Sequence, residues 1–196
     1  MVKKLTVKLF ELNEAYQKVI GWFFSYPTKE MSLSDLAMQL EISKKSASKV
    51  VSILGGEGFL KKEVLGKIWR ITATAQHPYN ITRKISYNLG MIYSSDIILQ
   101  IHKYLHDEMG QTPRAIILFG SYRKGDDTER SDIDIAVEIL GDKSLEMKEF
   151  RIFPNFGYRE NVPVNLHIFT RNNIDLNLFA NIANGIVLEG FLEVRP

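Results

Sequence analysis

The run Ala115-Ile116-Ile117-Leu118-Phe119 is uninterrupted by any polar residue and leads directly into Gly120-Ser121. Five apolar residues stopped by a glycine read as a buried strand ending in a tight turn. Ten residues follow Ser121, and then comes Asp132-Ile133-Asp134. On a strand, positions i and i+2 share a face, so the two carboxylates are expected side by side. At about 5 Å and an effective dielectric near 20 they repel by roughly 3 kcal/mol. Such a pair is commonly kept to bind a hard cation such as Mg²⁺. A Gly-Ser turn can aim backbone N–H groups and a hydroxyl at a phosphate. A solvated acidic strand end is the plainer reading, but it leaves the Gly-Ser turn and the fixed order of parts unexplained.

Gly120, Ser121, Asp132 and Asp134, in this order and spacing, resemble the signature of the nucleotidyltransferases related to DNA polymerase beta. The stretch is most similar to the minimal nucleotidyltransferase branch of that superfamily. The resemblance implies transfer of a nucleoside monophosphate, AMP from ATP, out of a Mg²⁺-bound NTP to a protein or small acceptor. It implies Asp132 and Asp134 as catalytic metal ligands in a two-metal site. Gly120 and Ser121 then face the phosphates, and Arg123 and Lys124 offset the charge of the triphosphate. Gly125 is expected at positive φ. Asp126, Asp127 and Glu129 are expected to face solvent, and Ser131 to order the loop end.

Fully equipped relatives carry a third carboxylate on a neighbouring strand. The matching strand here is 162–169, with Val164, Leu166 and Ile168 on one face and Asn165 and His167 on the other. Asn165 therefore takes the expected carboxylate position. An amide is no base at neutral pH, and general-base help is commonly worth about 10²–10⁴-fold. His167 is the group beside it that can move a proton. An enzyme and a degenerate, nucleotide-sensing regulator both remain open at this point. Glu138 shares the carboxylate face but lies about 13 Å along the strand from Asp134, too far for one ion.

The rest of this module reads as helix 95–109, strand 115–119, turn 120–125 and strand 132–140. An irregular or helical piece 143–157, strand 162–169, helix 173–184 and strand 186–191 complete it. One side of a small sheet is expected to be covered by helices. Ile97, Ile98, Ile101, Leu105 and Met109 mark the inner face of helix 95–109. His102 and His106 sit one turn apart on that helix without a third ligand nearby, so surface or core-edge histidines are the better reading.

The N-terminal part has another character. Residues 1–75 hold 12 Lys/Arg against 7 Asp/Glu, a net of +5, whereas residues 76–196 hold 13 against 16, a net of −3. Two modules with different partners are expected. Ala15, Val19, Ile20 and Phe23 have helical spacing. Ser34 is expected to cap a second helix and Ser43 a third, whose inner positions are Ala47, Val50, Ile53 and Leu54. Strands 59–65 and 67–74, joined at Gly66, follow. This order resembles a winged helix-turn-helix. The resemblance implies duplex DNA as partner, met by Lys44, Lys45, Ser46, Ser48 and Lys49 on the recognition helix. Lys61, Lys62, Lys67 and Arg70 on the hairpin can reach neighbouring phosphates. Protein docking or dimerisation is the alternative use of such a module.

The expected architecture is α+β: a winged helix-turn-helix over 1–75, a connector over 76–94 and a mixed-sheet nucleotidyltransferase domain over 95–196. The absence of cysteine excludes disulfides and thiolate metal sites. The four His are scattered singly, which argues against a zinc cluster. Neither a signal-peptide core nor a span-length apolar run occurs, so a cytoplasmic protein without membrane contact is expected. The minimal nucleotidyltransferases often act as antitoxins. That adds a helical, toxin-like protein to the expected partners, with nucleotide, DNA and a second copy of the chain.

Overall fold

Helical spacing of Ala15, Val19, Ile20 and Phe23 gives α1 (Val2–Ser25), which buries all four. The computed structural model describes residues 2–74, 78–142, 145–171 and 173–193. By internal packing the chain divides into two compact units, one ending at Arg83 and the other beginning at Lys84.

In the first unit α1 is followed by α2 (Leu33–Gln39) and α3 (Lys44–Gly56). The cap of α2 is Ser32, not the expected Ser34: its hydroxyl accepts from the Asp35 N–H. Ser32 is one residue outside the helix, where a side-chain oxygen can reach the free N–H groups of the first turn. Ser43 caps α3 as expected, accepting from the Ser46 N–H. Ala47, Val50, Val51 and Leu54 form the buried face of α3. Ile53, expected inside, is 37% exposed; Val51 fills the stripe one turn after Ala47 instead. A two-residue loop at Gly66-Lys67, with Gly66 at φ 63°, joins β1 (Leu60–Leu65) to β2 (Ile68–Ala73). Ile71 also bridges back to Met31, which precedes α2.

The expected connector contains α4 (Pro78–Ser94). Pro78 opens this helix, because a first-turn proline loses no intrahelical hydrogen bond. Gln76 and His77 of that segment lie outside the described residues. The division between the units falls within α4.

The second unit then adds α5 (Ile97–Met109), β3 (Ala115–Phe119), α6 (Gly120–Lys124) and β4 (Ile133–Glu138). It continues with β5 (Glu146–Phe156), β6 (Arg159–Phe169), α7 (Leu176–Ala183) and β7 (Ile186–Gly190). The strands form one sheet in the order β5-β6-β4-β3-β7. Only β4 and β6 run parallel; the other pairs are antiparallel, so the sheet is mixed.

Three expectations fail here. Residues 120–124 are a short helix rather than a turn. Residues 146–156 are an edge strand rather than an irregular or helical piece, because the loop Gly157-Tyr158 folds them back on β6; residues 143 and 144 of that piece lie outside the described residues. The sheet is also covered on both faces. Ile116, Leu118, Ile133, Ile135, Val137, Val164, Leu166 and Ile168 face Ile97, Ile101 and Leu105 of α5. Ala115, Ile117, Phe119, Ala136 and Phe169 face Ile182, Leu178 and Phe179 of α7. Asp134, Asn165 and His167 belong to this second face.

Candidate active site

Gly120 is forced by its surroundings. Its φ is 70°, and a Cβ placed on it would stand 2.5 Å from Asp134 Oδ2. Glycine alone has both the backbone freedom and the space. It turns the chain from β3 into α6, which ends at Gly125, also left-handed at φ 72° as expected. The Ser121 carbonyl accepts from the Gly125 N–H at 2.9 Å and the Asp126 N–H at 3.3 Å.

Asp134 lies inside the sheet, opposite Phe119 on β3 and Asn165 on β6. Asp132 lies just before β4, not within the expected strand. Asn165 links the two: Nδ2 donates to Asp132 Oδ2 at 3.2 Å, while its backbone is the register partner of Asp134. His167 Nε2 is 3.6 Å from Asp134 Oδ1, and its ring meets Phe119 edge-on at 4.9 Å. The four residues Asp132, Asp134, Asn165 and His167 are thus brought together. Glu138, farther along β4, is buried and held by Arg171, whose Nη2 donates to Oε1 at 2.9 Å.

Arg123 and Lys124 border a hollow of about 210 Å³ with Phe119, Gly120, Asn181 and Asn184. Neither cation forms an ion pair among the described residues, so both are available to an anion. A second hollow, of about 280 Å³, is lined by Asp134, Met147, Lys148, Glu149, Asn165 and His167. Glu149 escaped the sequence reading, because its segment carries no clean strand alternation. The register sets it opposite Asn165, in one row with Asp134, so the three side chains share a face.

The loop between α6 and β4 is also more buried than expected. Asp126 is exposed, but Asp127 is 4% exposed. Lys84 Nζ lies 3.1 Å from Asp127 Oδ2 and also donates to the Asp127 carbonyl. Asn88 donates to Asp127 Oδ1 at 2.8 Å and to the Tyr122 carbonyl at 3.0 Å. Burial pushes the Asp127 carboxyl up and the Lys84 ammonium down, against the attraction between them. The partners lie far away in sequence, so no local pattern marks Asp127 as buried.

The residues expected to face DNA belong to the first unit. Lys44, Lys45 and Lys49 are exposed on α3, whereas Ser46 and Ser48 are half-buried. Ser46 is engaged with the cap, its hydroxyl 2.9 Å from that of Ser43. On the hairpin, Lys61 pairs with Glu63 at 2.8 Å, Lys62 stands 4.1 Å over the Trp69 ring, and Lys67 is exposed. Arg70 donates to Glu30 through Nε at 2.8 Å.

Residues 100–190 match a family model described as "Polymerase beta, Nucleotidyltransferase". The match supports the nucleotidyltransferase superfamily for this part of the chain, and with it nucleoside monophosphate transfer as the general chemistry. No curated protein matches the chain. Nucleotidyltransferases of this kind generally use an NTP and a divalent metal. Among the described residues no group of three or more His, Asp and Glu is placed to hold a metal ion. The donor set nonetheless fits Mg²⁺, which usually takes one or two carboxylates and completes its shell with phosphates and water. Asp132 and Asp134 are half-buried and supply those oxygens. Among the described residues no helix is long and apolar enough to cross a membrane.

Proposed function

We propose that the chain transfers a nucleoside monophosphate, AMP from ATP, to a protein side chain or small acceptor in a Mg²⁺-dependent reaction. Its first unit acts as a DNA-binding winged helix-turn-helix, as an autoregulating antitoxin would require. The observation that carries this reading is the packing of Gly120 against Asp134, which sets the start of α6 beside the Asp132–Asp134 pair. Asp132 and Asp134 would hold Mg²⁺, which supplies charge neutralisation and activation of the attacking hydroxyl. The chain itself supplies the close approach at Gly120, and Ser121, Arg123 and Lys124 are the groups for the phosphates. The acceptor oxygen bonds to the α-phosphorus, pyrophosphate leaves, and the acceptor proton must pass to a base. Asn165 cannot take it; His167 and Glu149, which line the adjoining hollow with Asp134 and Lys148, are candidates to accept it.

Calorimetric titration of ATP with and without Mg²⁺ tests the site. Binding in wild type should require Mg²⁺ and should vanish in Asp132→Asn/Asp134→Asn. Equal binding by both proteins removes the metal-site assignment. Asn165, an amide donating to Asp132, supports a second reading: a DNA-binding regulator that senses nucleotide without transferring it. Mg²⁺-dependent ATP binding with no labelled-AMP transfer, even on co-expression with the products of neighbouring genes, would select that reading.

A further inference from the structure

Asp134 is held by strand pairing on both sides, but Asp132 precedes β4 and has no register partner. Its place depends on the loop before it. The Arg159 guanidinium, at the start of β6 and only 6% exposed, donates from Nη2 to the Ser131 carbonyl at 2.8 Å. That oxygen belongs to the peptide joining Ser131 to Asp132. Nη1 donates to the Tyr122 hydroxyl, and the guanidinium carbon stands 5.8 Å from the centre of that ring. Among the described residues Arg159 forms no ion pair with a carboxylate. A buried charge without a counter-charge is a poor stabiliser, since its desolvation goes uncompensated. Burial raises the Tyr122 hydroxyl above its ordinary value, with Arg159 acting downward and Asp127, Tyr87 and Asp132 upward. The other end of the loop has its own anchors, Lys84 and Asn88 on Asp127.

We infer that Arg159 is a positioning residue for Asp132: its fork ties the Ser131–Asp132 peptide to the buried Tyr122 hydroxyl. The inference rests on the reading of Asp132 and Asp134 as the Mg²⁺ ligands.

The test is Mn²⁺ binding to the full chain without nucleotide, followed by electron paramagnetic resonance. Arg159→Met, Arg159→Lys and Asp132→Asn/Asp134→Asn are compared with wild type, with thermal melts and amide exchange alongside. Arg159→Met should weaken Mn²⁺ binding by about tenfold or more, the range for groups that orient metal ligands. Its melting temperature should hold, and exchange should quicken at 128–132 but not in β4. Arg159→Lys keeps a donor but loses the fork that reaches both acceptors, so its affinity should fall between wild type and Arg159→Met. Wild-type Mn²⁺ affinity in a folded Arg159→Met overturns the inference. Should Arg159→Met fail to fold, Arg159→Lys decides: unchanged affinity overturns the role, and a clear loss supports it. The carboxylate double variant separates the two layers of the argument. If it binds Mn²⁺ like wild type, the metal-site reading fails and the role of Arg159 fails with it. If it loses Mn²⁺ while Arg159→Met keeps it, only the positioning role fails.

Discussion

Asn165 donates to Asp132 and pairs in register with Asp134, so a charge introduced at this position would act on both carboxylates. Replacing it by Asp removes the donated hydrogen bond and adds a third negative charge. One such pair at about 5 Å costs roughly 3 kcal/mol at an effective dielectric near 20. Asn165→Asp should therefore melt below wild type in chelator. In Mg²⁺ it should gain more stability than wild type, since a ligand that binds only the native state stabilises it by mass action. Labelled-AMP transfer should rise by about 10²-fold, the lower end of general-base effects, with a smaller change in ATP affinity. A variant that melts like wild type with and without Mg²⁺ would show that Asn165 does not face the ion. Faster transfer in wild type than in the variant would make Asn165 a working part of the site, with His167 or Glu149 handling the proton.

At the scale of elements, α4 ties the loop after α6 into the core through Lys84 and Asn88. Lys84 and Asp127 are both largely withdrawn from solvent, at 5% and 4% exposure. Removing one partner of a buried pair leaves the other charge uncompensated, at a cost of about 3–5 kcal/mol. Lys84→Met should lose stability of that order in chemical denaturation at neutral pH. Burial already raises the Asp127 carboxyl, and loss of Lys84 raises it further. A carboxyl whose folded pKa exceeds its unfolded value destabilises the fold above the folded pKa, and this loss disappears below the unfolded one. The deficit of Lys84→Met relative to wild type should therefore shrink as pH falls through the carboxylate range. A deficit independent of pH would mean that lost packing, not charge, is responsible. The limits of the sequence reading lie in the same elements. Strands β4 and β6 were legible from apolar residues at every second position, and so were Ser43 as a cap and Gly125 at positive φ. The strand β5 was not, because an edge strand buries little and only the fold-back at Gly157-Tyr158 gives it a partner. Asp127 and Arg159 were not legible either, since their burial depends on residues dozens of positions away. The row Asp134–Asn165–Glu149 required the register of three strands.

For the whole molecule the charge asymmetry is the feature that bears on function: +5 over residues 1–75 against −3 over residues 76–196. The structure sorts the basic residues of the first part. Lys61 is paired with Glu63 and Arg70 with Glu30, and Lys62 is drawn over Trp69. Lys44, Lys45 and Lys49 remain exposed on one short helix whose start is fixed by Ser43. Proposed DNA binding by this unit should therefore depend mainly on α3 and Lys67. With roughly four phosphate contacts, the log–log dependence of affinity on salt should have a slope near −4. The triple change Lys44→Ala, Lys45→Ala and Lys49→Ala removes up to three of those contacts and should flatten the slope by about 3. Fluorescence anisotropy of a labelled random duplex, titrated with the full chain across salt concentrations, measures both. Ser46 and Ser48 are half-buried, and α3 presents no Arg, Asn or Gln for paired base contacts. Discrimination between duplexes of different sequence should accordingly be weak. Binding that does not weaken with salt, or that survives the triple change with an unaltered slope, would assign this unit to protein docking instead.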